Sequence, residues 1–122
     1  MHSEQSGDER SAVLDRMIAF AMEELLSGNG ARRQQVVRRM AEIWPREPAL
    51  SLVFALTSAT GAIEDAFGTA AAAEPVVPFG YKLSALVSAD IHAVQCMGQV
   101  PSMAEDLLHF WRRTDPQYLQ VH

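Results

Sequence analysis

The sequence predicts an all-α protein of five helices, built as an up-and-down four-helix bundle with a short fifth helix packed across it. Apolar residues recur every three or four positions, and no stretch shows convincing alternation of apolar and polar residues. The segment Leu50–Phe67 is the least polar helical stretch, with large apolar groups on one side and small residues on the other. Such a helix belongs inside a bundle, where its small side lets a neighbouring backbone approach closely.

The size and charge of the chain limit the classes of function. With 122 residues and 48% hydrophobic composition, the chain can bury a core as one domain without disulfides or a structural metal. The formal net charge of −5 disfavours non-specific binding to nucleic acid or to an anionic membrane, because the field of the whole molecule repels phosphate. Binding of either kind would need a local basic patch.

Three features of the sequence indicate the cellular compartment of the protein. Cys96 is the single cysteine, which excludes an internal disulfide and fits a reducing cytoplasm. The first ten residues are polar and acidic, unlike a secretory signal. The longest uncharged run through the central helix, Ala49–Ile63, is shorter than the ~20 residues of a membrane span and contains Ser and Thr. We therefore expect a cytoplasmic protein with no membrane segment and no cofactor.

The first half of the chain contains two predicted helices and the start of a third. Residues 1–8 and 117–122 are expected to be flexible, and the first helix continues to the turn Ser27–Gly30, in which Asn29 caps the next helix. The second helix is predicted over Ala31–Trp44, since a proline follows it. So short a turn makes the first two helices antiparallel neighbours.

The second half of the chain is predicted to contain the central helix, a linker and two further helices. Gly68–Pro78 is the linker, because it contains one glycine and two prolines. The fourth helix covers roughly Phe79–Met97, and a glycine follows it. Ser102 and Glu105 have the spacing of a capping box and open the short fifth helix, Met103–Arg113.

Asp90 is the first candidate for a functional role. It projects from the middle of the predicted inner stripe of the fourth helix, which comprises Phe79, Leu83, Leu86, Val87, Val94 and Met97. A carboxylate in that position is costly unless it is paired or hydrogen-bonded. Asp90 is therefore either a structural partner of a basic group or helix N-terminus, or a group that binds a ligand or metal or acts as a general base.

Two other patterns contain metal-ligating residues at helical spacing. His92 and Cys96 lie four residues apart and can supply two ligands or a reactive thiolate, but a structural zinc site usually needs four ligands. Asp106 and His109 have the spacing of the di-iron bundles, which use two copies of that motif and further carboxylates. Because both patterns are incomplete, we predict no metal and no catalytic residue.

A basic cluster holds four of the ten Lys and Arg residues: Arg32, Arg33, Arg38 and Arg39. The first two occupy the first turn of the second helix, where cations oppose the helix dipole. We expect Glu23 and Glu24, near the end of the first helix, to compensate them across the antiparallel turn. The alternative is anion recognition, since a helix N-terminus with guanidinium groups suits phosphate or a nucleic-acid backbone.

Several large apolar residues fall outside the main stripes of their helices: Phe20, Met22, Leu26, Leu50 and Phe54. Clustered together, they would form an exposed apolar patch that a partner should cover. We therefore predict a homodimer, or binding to another protein.

The sequence contains no P-loop, dinucleotide fingerprint, nucleophile elbow or zinc-finger spacing. A helix-turn-helix is disfavoured, because the helix after Pro45–Pro48 is apolar and would make a poor recognition helix. We predict a non-enzymatic binding or regulatory protein that acts through protein association. The alternatives are phosphate or nucleic-acid binding at the arginine cluster, and small-molecule or metal binding at Asp90.

Overall fold

The computed structural model describes residues 2–68, 75–98 and 102–108, with side chains described from Ser11 onward. Within these ranges the chain forms helices and no strand, which confirms the predicted all-α class. There are six described helices rather than five: α1 (His2–Leu25), α2 (Gly30–Gln34), α3 (Val36–Ile43), α4 (Ala49–Phe67), α5 (Val76–Cys96) and α6 (104–108). The predicted linker residues 69–74, the end of the fifth predicted helix with His109, and residues 117–122 lie outside the described residues.

The central position predicted for α4 is confirmed, because α4 packs against both α1 and α5. Its buried residues combine large and small side chains: Ala49, Leu52, Ala55, Leu56, Ala59, Thr60 and Ile63. Phe67, at the end of the helix, is exposed. Among the described helices, α4 alone is long and apolar enough to cross a membrane by length and composition, with a mean hydropathy of 1.2.

The prediction of one helix over Ala31–Trp44 was wrong, because the chain divides there into α2 and α3. Asn29 caps α2 as predicted, since its Oδ1 accepts hydrogen bonds from the backbone N–H groups of Ala31 and Arg32 at 3.0 and 3.2 Å. Gln35 separates the two helices, with φ −102° and ψ 4°. α2 has no buried residue, whereas α3 buries four. The break at Gln35 therefore lies where the chain begins to bury side chains in the core. Packing of α3 against the core decides the direction of α3.

α1 begins at His2, so residues 2–8, which were expected to be flexible, belong to this helix. A single glycine interrupts the polar residues of this segment, and glycine in a helix costs only about 1 kcal/mol relative to alanine. Further along α1, the buried residues are Met17, Ala21, Glu24 and Leu25.

The buried side of α5 differs from the predicted stripe. Its buried residues are Val76, Gly80, Leu83, Ser84, Val87, Ile91 and Val94. Leu86 is only partly buried, and Met97, just beyond the helix, is 72% exposed. The stripe is rotated towards the small residues, because Gly80 and Ser84 allow α4 to approach closely.

Gly80 marks a very close approach of α4 and α5. A Cβ built on Gly80 would overlap Thr60 Oγ1 and would lie 2.9 Å from Thr60 Cγ2. Thr60 is fully buried, and its hydroxyl donates to the carbonyl oxygen of Leu56 at 2.7 Å. Ser84 donates in the same way to the carbonyl oxygen of Gly80 at 3.1 Å. Both buried hydroxyl groups are therefore hydrogen-bonded within their own helices.

The short helix α6 packs beside the start of α4. The N–H of Ala104 donates to the carbonyl oxygen of Glu47 at 2.8 Å, and the N–H of Ala49 donates to the carbonyl oxygen of Ser102 at 3.0 Å. Asp106 Oδ2 accepts from the N–H of Met103 at 2.9 Å, one position beyond the predicted Ser102 and Glu105 pair. These hydrogen bonds satisfy N–H groups at the starts of two helices.

Candidate functional site

Glu24 is a buried carboxylate at the junction of three helices. Its side chain is 1% exposed, although it carries a charge. Nη2 of Arg32, on α2, donates to Glu24 Oε2, and Nη1 of Arg39, on α3, donates to Glu24 Oε1. Glu23 and Glu24 were predicted to compensate Arg32 and Arg33 across the turn, and the pairing of Glu24 with Arg32 is confirmed. Among the described residues Glu23 and Arg33 form no ion pair, and the pairing of Glu24 with Arg39 was not predicted. Two guanidinium groups thus compensate the cost of burying one carboxylate.

Aromatic residues enclose the same cluster. The guanidinium carbon of Arg39 lies 5.2 Å from the centre of the Phe20 ring, a cation–π distance. Phe20 and Trp44 meet edge to face, with ring centres 5.7 Å apart and an interplanar angle of 84°. Phe20, predicted as an interface residue, therefore packs within the chain against Arg39 and Trp44.

The arginine cluster is divided by these contacts. Arg32 and Arg39 meet around Glu24, although their side chains remain 45% and 40% exposed. Arg33 and Arg38 are partly buried. Glu24 therefore engages one guanidinium nitrogen of each of two arginines in the cluster.

Asp90 is partly buried on α5, beside the buried stripe rather than in its middle. Burial raises the pKa of its carboxyl group above the ordinary value. A single carboxyl group in this position offers a ligand one polar contact, which is little for specific binding.

The His92 and Cys96 side chains meet on an exposed side of α5, with Cys96 Sγ 3.5 Å from His92 Nε2. Two side chains supply only half of the ligands of a structural zinc site. Among the described residues, no group of three or more His, Cys, Asp or Glu side chains could hold a metal ion.

The five predicted interface residues separate into two groups. Phe20 and Met22 are partly buried and pack against the core. Leu26, Leu50 and Phe54 are exposed, and Leu50 and Phe54 are 66% and 52% accessible to solvent. Since these two residues lie one turn apart on α4, they form a continuous apolar surface.

Leu50 and Phe54 begin a stripe that runs along the side of α4 opposite its buried residues. Thr57, three residues after Phe54, is also exposed, and we call Leu50, Phe54 and Thr57 the α4 outer stripe. Gly61 follows four residues later but is only partly exposed, since the hydroxyl of Tyr81 lies near it. No charged residue occurs between Ala49 and Ile63, so this part of the helix surface is neutral in a chain of net charge −5.

Two acidic residues, Glu64 and Asp65, follow the α4 outer stripe in the last turn of α4, and both are exposed. The hydroxyl of Tyr81 on α5 donates to Glu64 Oε1 at 2.9 Å. This hydrogen bond, with smaller contributions from desolvation and the nearby carboxylates of Glu64 and Asp65, raises the pKa of Tyr81.

The burial of Glu24 was not predicted from the sequence, although the spacing of Glu24 from apolar residues indicates it. Glu24 lies seven residues after Met17 and three after Ala21, which places it on the same side of the first helix as these two apolar residues. The reasoning that singled out Asp90 applies equally to Glu24. Gly80, an isolated glycine inside an apolar helix, was a similar signal of close packing.

The fold and these contacts define the chain as an all-α protein with a helical core. Comparisons with protein-family models, with curated protein sequences and with solved structures find no significant match to this chain.

Proposed function

We propose that this chain is a non-enzymatic cytoplasmic association module that forms a homodimer through the α4 outer stripe. The observation that supports this proposal is the exposure of Leu50 and Phe54, at 66% and 52%, on the central helix of the fold. Large apolar side chains on one helix surface gain free energy when a partner removes them from water. The remaining candidate sites already have internal partners or offer too few groups.

The distribution of charge favours a second copy of the chain as the partner. Two copies that each carry a net charge of −5 repel one another, and the repulsion is smallest where neutral surfaces meet. The run Ala49–Ile63 supplies such a surface, since it contains no charged residue. A two-fold dimer uses the same patch on both chains, so one neutral stripe is sufficient for both sides of the interface.

The proposed alternatives have less support from the contacts. Anion binding at the arginine cluster would have to compete with the buried carboxylate of Glu24 for Arg32 and Arg39. Ligand binding at Asp90 rests on one partly buried carboxyl group.

Sedimentation velocity over a range of micromolar concentrations tests the proposal. We expect a monomer–dimer equilibrium in the wild-type protein. Phe54→Asp should raise the dimer Kd at least about tenfold, which corresponds to about 1.4 kcal/mol, because it places two carboxylates in the apolar interface.

The matched control is Met97→Asp, since Met97 is 72% exposed, follows α5 rather than lying on α4, and undergoes a comparable apolar-to-acidic change. Its dimer Kd should equal that of the wild type. A wild-type protein that stays monomeric at every concentration would contradict the proposal. An equal rise of the dimer Kd in Phe54→Asp and Met97→Asp would contradict it as well.

A further inference from the structure

We propose that Asn29 is a site of spontaneous deamidation and that local opening of α2 sets the rate of this reaction. Asn29 is the single asparagine of the chain, and a glycine follows it. Asn29 and Gly30 are both exposed in the turn between α1 and α2. Glycine carries no Cβ to hinder attack by its own backbone nitrogen, so an asparagine before glycine deamidates more readily than one before a larger residue.

The reaction at this pair needs water and no other reactant. The backbone nitrogen of Gly30 attacks Cγ of Asn29, a new C–N bond closes a cyclic imide, and the side-chain nitrogen leaves as ammonia with the proton of the Gly30 N–H. Water then opens the imide at one of its carbonyl groups. Hydrolysis at the side-chain carbonyl gives aspartate, whereas hydrolysis at the main-chain carbonyl gives isoaspartate, in which the main chain passes through the former side chain.

The native turn holds the reacting atoms of Asn29 and Gly30 apart. Asn29 Oδ1 accepts hydrogen bonds from the N–H groups of Ala31 and Arg32 at 3.0 and 3.2 Å, and the Asn29 N–H donates to Ser27 Oγ at 3.2 Å. Ring closure requires the Gly30 nitrogen on the same side of the Cα–C bond as the Cβ of Asn29. At the observed ψ of 110° that nitrogen is turned away from Cβ. The backbone must therefore rotate at Asn29, and this rotation breaks the cap.

α2 is the element that must move, and few contacts oppose its movement. It has no buried residue, and local opening requires least free energy where few apolar groups are buried. Arg32 pairs with Glu24 on α1 and therefore holds α2 in place. When α2 opens, Glu24 keeps Arg39 as a partner, so the buried carboxylate is still compensated. α2 can therefore open while α1 and α3 stay packed.

The two products have different effects on α2. Aspartate at position 29 keeps a side-chain acceptor at the N-cap and adds a negative charge where the helix dipole favours it. Isoaspartate lengthens the main chain by a methylene group and removes the capping side chain. The isoaspartate form therefore loses the capping hydrogen bonds to Ala31 and Arg32, and Arg32 is no longer held beside Glu24.

Tryptic peptide mapping by mass spectrometry tests the assignment after incubation of the folded protein in mildly alkaline buffer. We expect wild-type protein to accumulate aspartate and isoaspartate at position 29. Gly30→Ala should slow the reaction at least about tenfold, which corresponds to about 1.4 kcal/mol in the barrier, because the added methyl group hinders the attacking nitrogen.

Gly30→Ala is a suitable control because a Cβ built on Gly30 meets no heavy atom within 4 Å in the described part of the chain. The variant therefore keeps the turn and changes the reacting pair. Folded wild-type protein that forms neither product, or equal rates in wild type and Gly30→Ala, would overturn the assignment of Asn29 as a deamidation site.

A second set of variants tests the role of α2. Arg32→Gln should raise the deamidation rate about threefold, because it removes the ion pair that holds α2 to Glu24. Arg33→Gln, in the same turn, should leave the rate unchanged. Gly80→Ala should also leave it unchanged, because its overlap with Thr60 lies between α4 and α5. An equal rise in Arg32→Gln and Gly80→Ala would overturn local opening, since the reaction would then proceed through global unfolding. A rate in Arg32→Gln equal to that of wild type would also overturn it.

Discussion

The guanidinium group of Arg39 donates a hydrogen bond to the carboxylate of Glu24 and lies 5.2 Å from the centre of the Phe20 ring. The side chain of Arg39 therefore compensates the buried charge of Glu24 and also covers the ring of Phe20, which lies on α1 together with Glu24. The contact joins α1 to α3, while Arg32 joins α1 to α2. Because α2 contributes no buried residue of its own, charge pairing holds it to the rest of the fold.

Arg39→Ala should lower the free energy of unfolding by about 2–3 kcal/mol, as measured by chemical denaturation. The loss comes from a charge-assisted hydrogen bond and the Phe20 contact, and it is limited because Arg32 still pairs with Glu24. The control is Arg38→Ala, the neighbouring arginine on α3, which should cost about 0.5 kcal/mol or less. An equal decrease in the free energy of unfolding of the two variants would show that the contact between Arg39 and Glu24 contributes nothing specific to stability.

Gly80→Ala should destabilise the protein by about 2–3 kcal/mol, even though alanine is favoured over glycine inside a helix by about 1 kcal/mol. The added Cβ would overlap Thr60, so α4 and α5 must move apart.

Gly61→Ala provides the matched comparison for Gly80→Ala. Its added Cβ would lie 3.8 Å from the hydroxyl of Tyr81, an ordinary contact, and the variant should be neutral or more stable. Thermal denaturation of both variants, at concentrations where the chain is monomeric, checks the pair. Similar melting temperatures would contradict the close crossing at Gly80.

Tyr81 should titrate above its ordinary pKa of 10.0, because its hydroxyl donates to Glu64 and the nearby carboxylates disfavour the phenolate. Glu64→Gln should move the midpoint down towards 10.0, and Asp65→Asn should move it down by less. Ultraviolet absorbance titration in a Tyr118→Phe background isolates Tyr81, since the chain contains two tyrosines. A midpoint unaffected by Glu64→Gln would exclude the hydrogen bond as the cause.

Asp90→Asn should raise the melting temperature at neutral pH. Burial raises the pKa of Asp90 above its ordinary value of 3.8, so the ionised group is less favourable in the folded state than in the unfolded state. The contribution of Asp90 to stability is therefore fully present below pH 3.8 and is lost as the pH rises through its raised pKa. The gain from Asp90→Asn should disappear in acid, whereas Asp15→Asn, at an exposed position on α1, should give no such gain. A gain that persists at low pH would assign the effect to another cause.

Much of the helical pattern could be predicted because its signals are local. Asn29 and the flanking glycines mark the start of α2, and the apolar spacing in Leu50–Phe67 marks α4. The division at Gln35 could not be predicted in the same way, because the residues on both sides of it are compatible with one continuous helix. Packing of α3 against the core decides the break.

The candidate sites show the same difference between what local sequence patterns predict and what tertiary contacts decide. The exposure of Leu50 and Phe54 agrees with their positions outside the predicted stripes, whereas Phe20 fell outside its stripe and nevertheless packs within the chain. A helical projection gives the angle of each residue, but it does not show which neighbour lies at that angle. For Phe20 the neighbours are Trp44 and Arg39, which belong to a different part of the chain.

The sequence by itself determined the all-α class, the central role of α4 and most of the turns, because hydrophobic periodicity, caps and prolines act over a few residues. Only the tertiary structure decided which side of α5 is buried and which arginines meet Glu24. Those outcomes depend on how closely Gly80 lets two helices approach and on where α3 turns after Gln35. Such contacts join residues far apart in the chain, so the free energy of the whole packed arrangement selects them.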